Sequence, residues 1–201
     1  MLVALAVAAA LAQEPPADDA RRVRGIANGR LALVGRISTS PDLIKAITAK
    51  NKASESSGDV KKRDEEWQRN PDFPLRRSSA SSDCAQRLRT LVQDDPQISE
   101  AYLMDNRGTI VCSVADLPDY WQGDEPNFQR TFGQSQFVFV GDPAPDAEGG
   151  GWTVPISMVV MDGPSKVGAV TVTLKVSPAM LAPPPTATLA PAPPPSPSAT
   201  P

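Results

Sequence analysis

The sequence predicts an α+β fold, with helices first and a five-stranded, mostly antiparallel sheet after them. Three observations predict it. Apolar residues recur at helical spacing before Pro96, period-two alternation takes over after it, and Gly-, Asn- and Asp-containing turns separate the alternating runs.

The elements follow in order. Val23, Ile26, Ala27, Val34 and Ile37 fall at helical spacing and predict one amphipathic helix. Ser40-Pro41-Asp42 reads as N-cap, first position and first-turn acid of a second helix carrying Leu43, Ile44 and Ile47. Residues 51–82 are polar and Ser-rich, with a short solvated helix over the charged run from Lys61 to Trp67. Asp83 is placed to cap a helix carrying Leu88, Leu91 and Val92, which Asp95-Pro96 stops. The helices are expected on one side of the sheet.

Strands are predicted over 98–104 and 109–114, joined by the hairpin turn Asp105-Asn106-Arg107-Gly108. A calcium loop would need later acidic ligands that the turn lacks. Further strands are predicted over 137–140, 152–161 and 166–176, the last two joined through Asp162-Gly163-Pro164-Ser165. Val170, Val172, Leu174 and Val176 alternate with more polar residues, so one face of the last strand is packed. Pro155 removes a ladder donor and implies an edge or a bulge.

The ends differ from the middle. Residues 1–12 are apolar and close on Ala10-Leu11-Ala12, a small-x-small pattern that reads as a signal-peptide core. Residues 13–22 are then a flexible linker, 23–176 a single domain, and 177–201 a Pro/Ala-rich tail that cannot bury enough apolar surface to fold. Export implies a periplasmic or secreted location and an oxidising compartment. Cys84 and Cys112 are there either a disulfide or two thiols packed as small apolar groups. The second is preferred, since helix-to-sheet packing would bury both.

Composition removes most reaction classes. The chain has no histidine, which excludes Ser-His-Asp and Cys-His nucleophiles and imidazole metal sites. Two cysteines cannot form a four-thiolate zinc site, and no Gly-rich phosphate loop or dinucleotide turn is present. No cofactor and no metal are expected. Residues 101–201 hold 4 Lys/Arg against 9 Asp/Glu, so a nucleic-acid surface is not expected.

The segment Asp119-Tyr120-Trp121-Gln122-Gly123-Asp124-Glu125-Pro126, continued by Asn127-Phe128-Gln129-Arg130-Thr131-Phe132, concentrates aromatics in a chain where they make up 5%. It falls between the second and third predicted strands, where it would roof a cavity over the sheet. Tyr120 and Trp121 can stack on a ligand and donate from their polar edges, or fill the core. Arg130 can hold a carboxylate in its planar fork, or pair with Asp124 or Glu125. Asp124 can take a ligand ammonium, or cap the helix that Pro126 begins. Phe128 packs inward, Tyr102 and Trp152 face either cavity or core, and these seven residues together are the expected ligand-binding set. Asp124 and Glu125 do not make a glycosidase pair, because neighbours on one helical turn point about 100° apart. An enzyme is not expected.

The run Ala101-Tyr102-Leu103-Met104-Asp105-Asn106-Arg107-Gly108-Thr109-Ile110-Val111 resembles the first hairpin of bacterial extracytoplasmic PAS-like sensor domains, the Cache (PDC) group. The Asp119–Phe132 segment, Val138-Phe139-Val140-Gly141-Asp142-Pro143 and Lys166-Val167-Gly168-Ala169-Val170-Thr171-Val172 are similar to the blocks that follow it in one branch. The resemblance implies a long N-terminal helix, a PAS-like sheet and a cavity that takes a small polar metabolite, a carboxylate or an amino acid, for signal transduction. A membrane-bound sensor, or a second copy joined through the N-terminal helix, is then the candidate partner. The chain departs from the branch where Asp146-Ala147-Glu148 leads into three glycines, and where Pro155 stands early in its strand. A ligand-free structural or interaction module of the cell envelope is the alternative.

Overall fold

The chain is seen here as a computed structural model, which describes residues 15–53, 55–134, 136–147 and 149–182. The segment read as a signal-peptide core, residues 1–12, and the tail from residue 183 lie outside the described residues.

The helices are α1 (Ala17–Asn28), α2 (Leu31–Ser38), α3 (Pro41–Lys52), α4 (Ser57–Arg69), α5 (Pro74–Ser81), α6 (Asp83–Val92), α7 (Pro126–Phe128) and α8 (Pro178–Leu181). The strands are β1 (Ile98–Met104), β2 (Ile110–Ser113), β3 (Val138–Val140), β4 (Ala144–Pro145), β5 (Trp152–Asp162) and β6 (Ser165–Val176). They form one antiparallel sheet in the order β2-β1-β6-β5-β3, with the two-residue β4 paired to β5 beyond β3. The five expected strands are all present.

The expected single N-terminal helix is two. A turn at Gly29 and Arg30 separates α1 from α2, where glycine weakens helix continuity. Helix α1 begins at Ala17, inside the segment expected to be linker, and α8 lies inside the expected tail. Helix α4 starts with a capping box: the Asp59 N–H donates to Ser56 Oγ at 3.1 Å, and the Ser56 N–H donates to the Asp59 carboxylate. At α6 the capping residue is Ser82, which accepts from the Ala85 N–H at 3.2 Å; Asp83 is the first helical residue.

Two apolar layers flank the sheet, because successive strand residues point to opposite faces. Leu103, Val170, Val172 and Leu174 meet Val23, Ala27, Val34, Ile37, Leu43, Ile47 and Leu88 of α1, α2, α3 and α6. The buried apolar residues of α1 and α2 thus pack on the domain's own sheet. On the other face, Tyr102, Met104 and Ala169 meet Trp67 of α4, Leu117, Tyr120 and Phe128. Helices therefore serve both faces, a correction to the one-sided expectation.

Pro155 sits in an interior strand, neither at an edge nor at a bulge. Its position falls between the β3 and β4 pairings on β5, and the Gly141 N–H donates to the Pro155 carbonyl at 2.9 Å. The missing donor therefore faces the interruption between two short strands, where no ladder bond is lost.

Cys84 of α6 and Cys112 of β2 are disulfide-bonded, with Cα atoms 5.9 Å apart. This corrects the preference for packed thiols. The same helix-to-sheet packing that would bury two thiols also brings them within bonding reach.

Candidate functional site

The β1–β2 turn is set by Asp105. Its buried carboxylate accepts the N–H groups of Arg107 and Thr109, both at 2.9 Å, and Gly108 takes a φ of +81°. Residues 120–123 run alongside this turn as an added strap. The Ile110 N–H donates to the Tyr120 carbonyl at 3.0 Å, and the Gln122 N–H to the Gly108 carbonyl at 2.8 Å. Glycine is required on both sides of this crossing: a Cβ on Gly108 would lie 2.4 Å from the Gly123 Cα.

Helix α4 holds the strap from its other side. One oxygen of Asp64 accepts the N–H groups of Tyr120 and Trp121, both at 2.9 Å, and its other oxygen accepts from the Gln68 amide at 2.9 Å. The extended geometry then sends neighbouring side chains opposite ways. Tyr120 goes inward, fully buried, with its ring 5.6 Å from that of Trp67. Trp121 goes outward, 37% exposed, with its indole N–H on the Arg107 carbonyl at 2.9 Å.

The Tyr120 hydroxyl meets an ion cluster. It lies 3.0 Å from a Glu55 carboxylate oxygen and 2.7 Å from Lys50 Nζ, and Glu55 also pairs with Lys50 and Arg63. Burial alone would raise Glu55, but the bonds from Lys50 and Tyr120 and the Arg63 charge outweigh it and hold the carboxyl below its usual range. Burial likewise opposes the charge on Lys50, yet Glu55 and Tyr120 leave it above its ordinary value.

The expected roofed hollow against the sheet is packed. Tyr102, Tyr120, Phe128 and Trp67 all lie in that layer, each less than a tenth exposed, and Phe128 stacks on Phe132 with ring centroids 5.1 Å apart. Ser157 and Thr171 share a hydroxyl hydrogen bond of 2.8 Å within it. Burial pushes the Tyr102 hydroxyl up to about 12, against a weaker pull from Thr171 and Asn127. Asp119 borders the layer. Burial, then the charges of Asp64, Glu125 and Asp124, push its carboxyl up to about 6, and Gln122 donates its amide to it.

Open space lies outside α4 instead. A groove of about 650 Å³ runs between that helix and the strap, lined by Val60, Lys61, Asp64, Glu65, Arg107, Trp121 and Asp124 among others. That volume suits a small polar molecule. Of the seven expected site residues it brings together Trp121 and Asp124. Tyr102, Tyr120 and Phe128 are interior. Arg130 is exposed on a π-helical turn (Gln129–Gly133) and reaches the Gln134 amide oxygen at 3.4 Å. Trp152 is at the opposite end of the sheet, beside Asp19, Pro178 and Leu181.

Arg107 was missed from sequence, where it reads as a turn residue. The signal for it is the pair of glycines, Gly108 and Gly123, whose close approach presses the turn against the aromatic strap.

The domain therefore has two distinct ends. β1 and β6 run antiparallel, with Met104 opposite Ala169 and Ile98 opposite Leu174, so the groove sits at the hairpin end. The described chain ends meet at the other, where Arg22 of α1 donates to the Leu181 carbonyl.

In fold, the chain is similar to bacterial sensor domains. One is the sensor domain of the V. cholerae histidine kinase DctB, at 12% identity and a TM-score of 0.48 over 81% of this chain and 53% of that one. Others are the ligand-binding domain of the Pseudomonas fluorescens chemoreceptor CtaA with L-serine (16%, 0.42, 78% and 54%) and that of the P. aeruginosa PAO1 amino acid chemoreceptor PctC with GABA (14%, 0.43, 81% and 58%). The chain spans little more than half the length of these structures. No protein-family profile and no curated protein matches it. Among the described residues no helix is long and apolar enough to cross a membrane.

Proposed function

We propose that the chain is an extracytoplasmic sensor-type domain that takes a small polar metabolite, a carboxylate or an amino acid, in the groove between α4 and Trp121. The observation that carries this reading is the groove itself, with its aromatic wall and charges of both signs. A ligand there touches α4, the hairpin turn and the strap together. Tightening of the strap is passed through Tyr120 to Glu55 and Lys50, and so to the end of α3. Only the difference in affinity between two states of that linkage can drive a signal. The Cys84–Cys112 disulfide supports a location in an oxidising compartment. The signal-peptide reading of residues 1–12 points the same way.

The test is a thermal-shift screen of organic acids and amino acids. A ligand at 100 times its dissociation constant adds about 2.7 kcal/mol of stability. Trp121→Ala is expected to abolish the shift. A shift that survives in Trp121→Ala places the ligand elsewhere, and the absence of any shift removes the reading.

The packed layer beneath the strap favours a second reading, a ligand-free interaction module. Phe137 and Val138, at 66% and 37% exposure on and beside the edge strand β3, are its candidate contacts. Concentration-dependent association lost in Phe137→Asp supports it, and a monomer at all concentrations removes the self-association form of it.

A further inference from the structure

We infer that Arg107, in the β1–β2 turn, is the anion-holding residue of the groove and that its ligand must carry a carboxylate or comparable oxyanion. This rests on the groove proposed above as the binding site.

The argument begins with charge. Arg107 is half-buried, and among the described residues its guanidinium makes no side-chain hydrogen bond and no ion pair. Its Nη1 is fully enclosed without an acceptor. A guanidinium with one nitrogen out of water and no counter-charge is costly, and an anion meeting the part of it that faces the groove relieves that cost. The carboxylates along the groove do not meet it. Asp64 has both oxygens engaged, on Tyr120 and Trp121 and on Gln68, and Glu65 pairs with Arg69 across 3.7 Å. Asp124 lines the groove without an ion pair to Arg107.

Position agrees with charge. The Arg107 backbone is fixed on both sides, its N–H on Asp105 and its carbonyl on the Trp121 indole. The root of the side chain is therefore held beside the aromatic wall, so no backbone freedom is lost when the fork closes on an anion. Lys61 adds a second positive charge across the groove. Arg130, the other arginine after residue 100, is exposed and bonded along its own turn.

The test titrates sodium acetate, succinate, glycine and inorganic phosphate into the full chain at constant ionic strength, balanced with chloride. The readouts are the Trp121 indole N–H resonance and the melting temperature. At least one of these probes is expected to give a saturable change in the wild type. Arg107→Gln is expected to weaken that probe by about 10- to 100-fold. Arg107→Lys is expected to restore part of it, and Arg130→Gln to leave it intact. Equal affinity in wild type and Arg107→Gln overturns the assignment, as does the absence of any saturable response. Should choline or putrescine move the Trp121 resonance equally in both proteins, the groove still binds a small molecule and only the anion assignment fails. Melting of Arg107→Gln in chloride, at or above the wild-type temperature, confirms that a lost response is not lost folding.

Discussion

The indole N–H of Trp121 donates to the carbonyl of Arg107 at 2.9 Å, so the aromatic wall of the groove is fastened to the backbone that carries its cation. That bond joins the two segments that make the site, the hairpin turn and the strap. Anything that separates them removes the groove's geometry along with some stability.

Gly108→Ala separates them. The substitution places a Cβ 2.4 Å from the Gly123 Cα, at a φ of +81° that L-residues avoid. The expected cost is at least about 2 kcal/mol, measured by urea unfolding. Trp121 emission is expected to shift red as the indole leaves the Arg107 carbonyl.

Asp119 makes stability depend on pH. Its folded value of about 6 lies above the unfolded value of 3.8, so the folded state holds its proton more tightly. That contribution is fully present below about pH 4 and is lost as pH rises through about 6. Asp119→Asn is expected to flatten the dependence over that window. It should also stabilise the protein at pH 7.5 by about 1 kcal/mol, a figure reduced for solvent screening. Urea midpoints from pH 4 to 8 measure it.

Glu55 acts in the opposite sense. Its folded value lies below its ordinary 4.5, so its stabilisation is present above that value and is lost as pH falls through the folded one. Tyr120→Phe removes the hydroxyl's bonds to Glu55 and from Lys50 and is expected to cost about 2 kcal/mol. Glu55→Gln leaves Lys50 without its carboxylate and is expected to cost about 2 kcal/mol, and to reduce the acid-side loss below pH 4.5.

The disulfide joins α6 to the edge strand β2 and closes a separation of 28 residues. Cys84→Ala with Cys112→Ala is expected to lower stability by about 3 to 4 kcal/mol. Comparison of oxidised and reduced wild-type protein provides the same measurement without substitution.

The frame of the molecule was legible in its sequence, because strand alternation and turn chemistry are local. The runs ending at Met104 and Val176 and the Asp105–Gly108 turn emerge close to where their patterns place them. Strand β4 was not legible, since two residues carry no period. The break at Gly29 was visible as a glycine but is indistinguishable from a tolerated one without the packing of α2 on β5 and β6. The site was half legible. That residues 119–125 would supply part of the candidate site's lining followed from their composition. Which of Tyr120 and Trp121 faces out depends on the register of the strap against Thr109, a long-range pairing with no local trace. Arg107 was hidden for the same reason, and Trp152 was misplaced because its strand is long enough to carry it to the far end of the sheet.

The most direct measurement is a titration of the full chain with small carboxylates and amino acids, followed through the Trp121 indole N–H resonance. Saturable movement of that resonance, lost in Arg107→Gln, is the predicted result. A resonance that stays fixed across the whole panel, in a folded protein, contradicts the account.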